Sequence, residues 1–217
     1  TLRFYRWNPS AVSLGCFQGI DAEVDLDKAD KKGIDVVRRI SGGGTVFHDR
    51  NGEVTYSLVV PMGDVPADVV ESFRKVCEGL VTGFKNLGIN AEYSEVNDVI
   101  ADGKKISGSA QTRRYGAFLQ HGTILVDPDI RLMFELLTVS EEKITDKLVS
   151  SVRKRVTSVR RELGQKPGFE EVTNAMVDGF SDRFGPDFHE GELSPEEIDT
   201  ADKLEEKYSS DEWTGKR

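Results

Sequence analysis

Cysteine is scarce in this sequence of 217 residues, which contains only Cys16 and Cys77. Two cysteines cannot build a disulfide framework, and their spacing matches no metal-binding pattern. The three histidines, His48, His121 and His189, also lack metal-ligand spacing. Low cysteine usage favours a reducing compartment, and we therefore expect a cytoplasmic protein.

Long apolar runs are also missing from the sequence. No stretch approaches the ~20 residues that a membrane-spanning helix needs, so we expect no membrane partner. The opening residues resemble neither a signal peptide nor a transit peptide. The first residue is Thr1 rather than methionine, and we expect N-terminal residues of the domain to be missing.

Basic charge is outweighed by acidic charge, with 29 Lys and Arg residues against 38 Asp and Glu residues and a net charge of −9. Nucleic acids are bound by basic fields, so we expect no nucleic-acid partner. Residues 147–161 nevertheless contain six basic and no acidic side chains, whereas residues 187–212 contain eleven acidic side chains and two lysines. The acidic run is typical of solvated surface. The basic strip fits either solvated surface or a site for phosphate or an acidic partner.

The hydrophobic pattern predicts an α+β domain with mostly antiparallel sheets flanked by helices. Residues 65–87 form the longest predicted helix, because apolar residues recur at three- and four-residue steps until Gly88. Cys77 lies on that apolar stripe, which favours a core residue over a nucleophile. The predicted strands cover residues 3–7, 12–17, 34–40, 54–61, 97–101, 104–114 and 117–126. The other predicted helices cover residues 21–32, 129–138, 140–149, 169–184 and 194–208, the last with a capping box.

Three successive glycines form the most informative segment. Gly42, Gly43 and Gly44 have no side chains to pack, but they allow backbone N–H groups to approach an anion or a flat ligand closely. Arg38 and Arg39 precede them and can form two-pronged contacts with phosphate or carboxylate. The segment is neither a Walker loop nor a dinucleotide-binding turn. Taken alone, it fits a ligand-binding loop or a flexible hairpin loop.

A second informative segment surrounds Asp-Gly at residues 102–103, a strong signal for a two-residue hairpin turn. Strict alternation on the second strand of this hairpin predicts Lys105, Ser107 and Ser109 on one face. A lysine in a pocket can stabilise negative charge that develops on an acyl group. Asp98 on the first strand can hold Mg²⁺ or a polar part of a nucleotide. A solvated lysine and an ordinary strand-start turn remain alternative interpretations.

Together these segments resemble the lipoate–protein ligase A family, within the superfamily that includes biotin ligases and octanoyltransferases. The resemblance includes the Arg-Arg-Ile-Ser-Gly-Gly-Gly loop and the Gln-His-Gly segment, and it covers most of the chain in the family's order. The matching segments are residues 38–49, 54–57, 97–111, 119–125, 151–157 and 208–213.

The resemblance implies an ATP-dependent ligase. Lipoate would attack the α-phosphate of ATP to give lipoyl-AMP, and a lysine of an acceptor protein would then displace AMP. Lys105 would be the catalytic lysine, Asp98 would hold Mg²⁺, and the basic loop at 151–157 would fold over the adenylate. The implied substrate- and adenylate-binding residues are Arg38, Arg39, Ser41, Gly42, Gly43, Gly44, His48, Asn97, Asp98, Ser107, Gly108, Ser109, Ala110, His121, Gly122 and Arg153.

The resemblance also implies partners and a domain plan. The acceptor would be a lipoyl domain protein, such as a 2-oxoacid dehydrogenase E2 or a glycine cleavage H protein. A small separate accessory ligase subunit is a second expected partner. Residues 1–185 would form the catalytic domain and residues 186–217 a C-terminal helical segment of the same domain, without the accessory C-terminal domain of bacterial ligases.

Three alternatives remain open at the level of sequence. An octanoyltransferase would move acyl groups between carrier proteins without ATP. Residues 54–57 and 109–113 lean toward such enzymes, but residues 90–96 lack the nucleophilic cysteine that they carry there. A biotin ligase shares the Asn-Asp and Lys-Lys-x-x-Gly arrangement but not the glycine loop, and a non-catalytic lipoate-binding module would not need Lys105. The missing cysteine makes the ligase the preferred sequence-based hypothesis.

Overall fold

The computed structural model describes residues 1–137, 151, 154–185 and 188–217. The helix predicted for residues 140–149 and the predicted binding residue Arg153 lie outside the described residues. The strands are β1 (Leu2–Tyr5), β2 (Ala11–Leu14), β3 (Asp35–Arg38), β4 (Val46–His48), β5 (Glu53–Pro61), β6 (Ala91–Ser94), β7 (Asp98–Ala101), β8 (Lys104–Arg114) and β9 (Ala117–Leu125). The helices are α1 (Ile20–Glu23), α2 (Leu26–Lys31), α3 (Val69–Asn86), α4 (Ile130–Leu136), α5 (Val159–Leu163), α6 (Phe169–Phe184), α7 (Pro195–Tyr208) and α8 (Asp211–Thr214).

Two sheets form the framework, which confirms the predicted α+β class. The large sheet has the order β1-β5-β9-β8-β7-β6, and each neighbouring pair is antiparallel. The small sheet has the order β3-β2-β4, in which β2 pairs parallel with β3 and antiparallel with β4. The predicted hairpin forms between β7 and β8, with positive φ at both Asp102 and Gly103. Positive φ at both central residues is the geometry that an Asp-Gly turn favours.

Each sheet has its own hydrophobic core. Helices α3 and α6 pack together, and their apolar faces join side chains of the large sheet in one buried cluster that includes Tyr56, Leu80, Phe84, Ile106 and Phe180. The small sheet packs Val12, Leu14 and Phe47 against residues that include Ala29 of α2 and Leu136 of α4. Removing this apolar surface from water is the main favourable contribution to folding.

Several predicted boundaries differ from the observed ones. The helix predicted for residues 21–32 is divided into α1 and α2, because Val24 between them forms an isolated bridge with Leu137. The long helix α3 begins at Val69, where the side chain of Asp68 accepts the N–H of Glu71 and caps the helix. The capping box at Ser194 and Glu197 is confirmed. Strands β4 and β6, of three and four residues, were not predicted.

Helix lengths also bear on membrane association. Across the part of the chain that the structure describes, no helix combines the length and the apolar character that crossing a bilayer requires.

Candidate functional site

A cavity of about 350 Å³ lies between the two sheets. The small sheet contributes Ser13 and His48 to its wall, and the large sheet contributes Lys105, His121 and Thr123. This volume lies within the range of about 300–1,000 Å³ that is typical of small-molecule sites. Apolar side chains make up another part of the lining, namely Val46, Phe47, Leu125, Ile130, Met133 and Val156. The cavity can therefore hold an apolar chain beside a small set of polar groups.

Lys105 reaches the cavity because of an irregularity in the β7–β8 hairpin. The register shifts between Val99 and Ile100, so that Ile100 pairs with Lys105 while Val99 pairs with Ser107. The extra residue, Ile106, is fully buried in the hydrophobic core of the large sheet. A bulge of this kind reverses the expected alternation of side chains. Lys105 thus lines the cavity, and its Nζ lies 2.6 Å from Oδ1 of Asp98.

The predicted grouping of Lys105 with Ser107 and Ser109 is therefore wrong. The hydroxyl of Ser109 bonds to the hydroxyl of Tyr56 at 2.8 Å, within the buried core of the large sheet. The hydroxyl of Ser107 is buried and has no hydrogen-bond partner among the described residues. Strict alternation fails because the bulge lies between Lys105 and Ser107. Ser109 still lines the cavity, whereas Ser107 does not.

Two glycines of the large sheet, close to Lys105 in the fold, have no room for a side chain. A methyl group at Gly108 would lie 2.6 Å from both Cε and Nζ of Lys105. A methyl group at Gly122, which pairs with Ser109 across β8 and β9, would lie 2.3 Å from the carbonyl oxygen of Gly108. Both distances are shorter than any ordinary contact. Glycine at 108 therefore leaves the space that the Lys105 side chain occupies, and glycine at 122 lets the backbones of β8 and β9 approach closely.

Residues 155–157 lie beside Lys105 and form one side of the site. The backbone N–H of Lys105 donates to the carbonyl of Arg155 at 2.8 Å, and the N–H of Thr157 donates to the carbonyl of Lys105 at 2.9 Å. Val156 between them lines the cavity. The resemblance implied that this loop covers the site, and the described part of it does contact the predicted catalytic residue.

The glycine loop is held by Arg39 and His121. Arg39 donates through Nη2 to the carbonyl oxygens of Gly42 and Gly44, at 2.9 Å and 2.6 Å. The Nε2 atom of His121 lies 2.6 Å from Oγ of Ser41. Burial lowers the pKa of His121 to about 4, with a smaller contribution from the positive charge of Arg39. His121 is therefore a neutral imidazole at physiological pH.

Arg38 does not take part in the cavity, in contrast to its predicted role. Its guanidinium donates to the carbonyl oxygens of Gly15, Gln18 and Thr214 at 2.6–3.0 Å. The indole N–H of Trp213 donates to the carbonyl of Arg38 at 2.8 Å. Arg38 is buried, and its donors are used to hold the C-terminal helix α8 against the small sheet. Its role in this structure is to join these segments.

The predicted residues thus divide into two groups. The cavity wall includes Arg39, Gly43, Gly44, His48, Asn97, Lys105, Gly108, Ser109, Ala110, His121 and Gly122. Arg38, Ser41, Gly42, Asp98 and Ser107 lie outside the wall, although Ser41, Gly42 and Asp98 contact residues within it. Five polar residues of this region were missed by sequence reasoning: Ser13, Thr45, Glu53, Thr55 and Thr123. Alternation along β5 places Glu53 and Thr55 on one face, but it does not show which strands lie beside them.

Both cysteines lie outside the cavity wall. Cys77 is buried on α3, where its sulfur lies 3.8 Å from Oγ of Ser109 and 3.6 Å from Nε2 of Gln120. Burial raises the pKa of the Cys77 thiol to about 11, so the thiolate is disfavoured. Cys16 is also buried, and its backbone N–H donates to the carbonyl of Ser41. The interpretation of Cys77 as a core residue agrees with this position.

Comparison with known proteins decides the family. The lipoyl protein ligase A/B catalytic domain matches residues 1–181. This chain belongs to that family. The enzyme family and the lipoate–protein ligase fold that the sequence predicted are therefore confirmed.

Relatives at similar distance differ in the reaction they are named for. The octanoyltransferase LipM of Kyrpidia tusciae is 37% identical over 98% of this chain and 86% of its own length. LipM of Bacillus subtilis is 33% identical over 100% of this chain and 86% of its own length. The bipartite lipoate protein ligase of Thermoplasma acidophilum, solved with its E2 lipoyl domain as one lipoylation system, superimposes with a TM-score of 0.89. That structure is 38% identical, with 99% of this chain and 83% of that chain covered.

The prediction of an ATP-dependent ligase is wrong, as are the predicted cofactors ATP and Mg²⁺ and the lipoyl-AMP intermediate. Curated relatives that span nearly the whole chain are octanoyltransferases, and group transfer from an activated donor needs no nucleotide. The predicted Mg²⁺ ligand, Asp98, is instead paired with Lys105. The absence of a cysteine from residues 90–96 therefore does not exclude an octanoyltransferase.

Proposed function

We propose that this protein is an acyltransferase that moves an octanoyl group from the thioester of a carrier protein to a lysine of a lipoyl domain. The observation that carries the proposal is the similarity to octanoyltransferases over nearly the whole chain. The cavity supports it, because an apolar wall that includes Leu125, Ile130 and Met133 suits an alkyl chain.

Lys105 is the group that we assign to the acyl carbonyl. Its ammonium nitrogen Nζ lies 2.6 Å from Oδ1 of Asp98, which orients it, and Lys105 is part of the cavity wall. When an amine attacks a thioester, negative charge develops on the carbonyl oxygen, and a fixed cation lowers the free energy of that state. Overall, the C–S bond of the donor breaks and a C–N bond to the acceptor lysine forms. The carrier thiol leaves with the proton that the amine loses.

The acceptor would approach beside residues 154–157. Lys154 and Arg155 are exposed, and Arg155 is hydrogen-bonded through its backbone to Lys105. Positive charges next to the reacting group would attract an acidic lipoyl domain and raise its association rate. Replacement of both side chains by Glu should slow transfer more at low than at high ionic strength. An equal effect at both would show that these charges do not steer the acceptor.

The test is a transfer assay in which the intact mass of the lipoyl domain is measured. The protein is incubated with an octanoylated carrier protein and an unmodified lipoyl domain, without nucleotide. We expect a mass increase of one octanoyl group. Lys105→Ala should lower the rate by about 100-fold or more, whereas Lys104→Ala, which removes only a partner of Asp102 at the turn, should not. Modification that occurs only with free octanoate or lipoate plus MgATP would contradict the proposal.

A further inference from the structure

Ser13, His48 and Glu53 form a continuous chain of hydrogen bonds beside the acyl cavity. Oγ of Ser13 lies 2.8 Å from Nε2 of His48, and Nδ1 of His48 lies 2.7 Å from Oε1 of Glu53. The three residues are 2%, 5% and 4% exposed. Ser13 and His48 nevertheless line the cavity, so this hydrogen-bonded pair borders the space that would hold the acyl group.

The direction of these hydrogen bonds follows from their chemistry. An ionised carboxylate can only accept, so Nδ1 of His48 donates to Glu53. With neutral imidazole, Nε2 then carries the lone pair and accepts the hydroxyl proton of Ser13. This is the arrangement in which histidine acts as a general base toward a serine nucleophile. It does not depend on a particular fold or on a particular order in the chain.

The surrounding residues keep the histidine ring and the carboxylate in place. The ring of Trp7 stacks on His48 with 4.3 Å between centroids and 18° between planes. Thr55 donates to the same oxygen of Glu53 at 2.5 Å, and Trp7 donates to Thr55 at 3.0 Å. The second oxygen of Glu53 is buried without a partner among the described residues. A buried carboxylate of this kind stabilises an imidazolium that forms beside it.

Arg39 adds a positive charge at the serine. Its Nη1 donates to the carbonyl oxygen of Ser13 at 2.9 Å and to Oγ of Ser13 at 3.2 Å. Oγ therefore donates to His48 while it accepts from Arg39. A cation on the acceptor side of a hydroxyl stabilises the alkoxide that attack on a carbonyl requires.

We propose that Ser13 is the nucleophile of this enzyme and carries the octanoyl group as an ester during transfer, with His48 as its base and Glu53 as a positioning residue. The inference rests on the proposed acyl transfer and supplies the nucleophile that the two cysteines, both outside the cavity wall, do not provide. The inference is based on the hydrogen bonds that connect Ser13, His48 and Glu53, and on the position of Ser13 and His48 in the same cavity wall as Lys105.

The proposed transfer takes place in two steps. Oγ of Ser13 attacks the thioester carbonyl while His48 takes its proton; the C–O bond forms, the C–S bond breaks, and the imidazolium returns the proton to the departing thiolate. In the second step the amine of the acceptor lysine attacks the serine ester. His48 takes a proton from the amine, the C–N bond forms, the C–O bond breaks, and Ser13 recovers its proton. No oxidant, reductant or nucleotide is consumed.

The experiment is to trap the intermediate. The protein is mixed with octanoylated carrier protein alone, and its intact mass and peptide map are measured before and after addition of the lipoyl domain. We expect one octanoyl group on Ser13, released when the lipoyl domain is added. Ser13→Ala should remove it and lower transfer by at least about 100-fold, whereas Ser72→Ala, at another fully buried serine, should do neither.

Ser13→Cys provides a second variant whose result does not depend on loss of activity. It should carry a thioester that neutral hydroxylamine cleaves, while the wild-type ester should need alkaline hydroxylamine. Glu53→Gln should lower the rate of acylation and shift its pH profile, an effect that loss of packing would not produce.

The inference is overturned if the wild-type protein modifies the lipoyl domain while Ser13 stays unacylated, or if the octanoyl group maps to Cys16, Cys77 or Lys105. Neither of those results would contradict the proposed acyltransferase function. Absence of any transfer to the lipoyl domain and of any acyl-enzyme would instead overturn the proposed function together with the inference.

Discussion

Nζ of Lys105 lies 2.6 Å from Oδ1 of Asp98, across a hairpin whose register is shifted by one residue. Asp98 leads β7 and pairs with Gly108, while Lys105 pairs with Ile100, so the ion pair runs diagonally over Gly108. Neither side chain is fully buried. The pair therefore orients the ammonium more than it stabilises the fold.

Asp98→Asn should lower the rate of acyl transfer by roughly 10-fold or more, because a lysine that loses its orienting charge occupies the productive position less often. The melting temperature should change little. The measurement is a comparison of kcat and KM for transfer with thermal unfolding of the same preparation. A variant with unchanged kcat would show that the ion pair has no part in positioning Lys105.

Gly108→Ala should impair activity more than stability. The added methyl group would lie 2.6 Å from the end of the Lys105 side chain, and that flexible end can move away at little cost. Gly122→Ala should do the opposite, since its methyl group would meet the backbone oxygen of Gly108 at 2.3 Å. Transfer rate and melting temperature measured on both variants check this contrast. Equal losses of stability would refute it.

Arg38→Ala should destabilise the protein by about 2–4 kcal/mol, because three backbone carbonyls, one of them in a fully buried hydrogen bond, lose their donor. Those carbonyls belong to Gly15, Gln18 and Thr214. Urea unfolding gives the free energy, and limited proteolysis should show earlier cleavage near α8. Arg50→Ala, at an exposed arginine, is the matched control. Normal stability of Arg38→Ala would argue against this joining role.

His121→Gln should weaken the pH dependence of stability. Burial lowers the pKa of His121 from 6.5 to about 4, so the unfolded chain binds a proton at this residue before the folded chain does. Stability is therefore lost as pH falls from about 7 toward 4. Between pH 7 and 5 the wild type should lose about 2 kcal/mol more than the variant. Parallel stability curves, with exposed His189→Gln as control, would contradict a depressed pKa.

Replacement of both cysteines should leave acyl transfer intact. Neither thiol is on the cavity wall, and burial raises the pKa of Cys77 to about 11. Cys16→Ala with Cys77→Ala should keep a rate within about 3-fold of the wild type and cost about 1–2 kcal/mol of stability. The transfer assay checks this. A loss of transfer with retained folding would place the nucleophile on a cysteine.

Much of the fold could be predicted from local patterns, because long amphipathic segments such as α3 and strong turns such as residues 102–103 are governed by nearby residues. The Lys105 face could not be predicted. A single inserted residue, Ile106, reverses the alternation, and its selection depends on packing in the core of the large sheet. Arg38 was predicted to bind the ligand, but it binds the carbonyl of Thr214 instead. That contact could not be predicted, because the two residues lie far apart in the sequence.

The site was recognised in outline through its glycine loop and hairpin, but its polar network was not. Ser13, His48 and Glu53 come from three different strands, and nothing in the spacing of these residues indicates that they meet. Their contact depends on the antiparallel pairing of β2 with β4. The reaction type could not be predicted either, because the absence of one cysteine from residues 90–96 does not show whether another group accepts the acyl chain.

The cavity wall is shared by two sheets that are stabilised by separate hydrophobic cores. Substitutions in the small core, around Leu14 and Leu136, can move the wall that holds Ser13 and His48 while the wall that holds Lys105 keeps its packing. A substitution in the small core would therefore shift the apolar lining and the Ser13–His48 pair together, while Lys105 keeps its position. The distance between the serine hydroxyl and the lysine ammonium is thus set by how the two sheets pack, and residues outside the cavity wall can tune it.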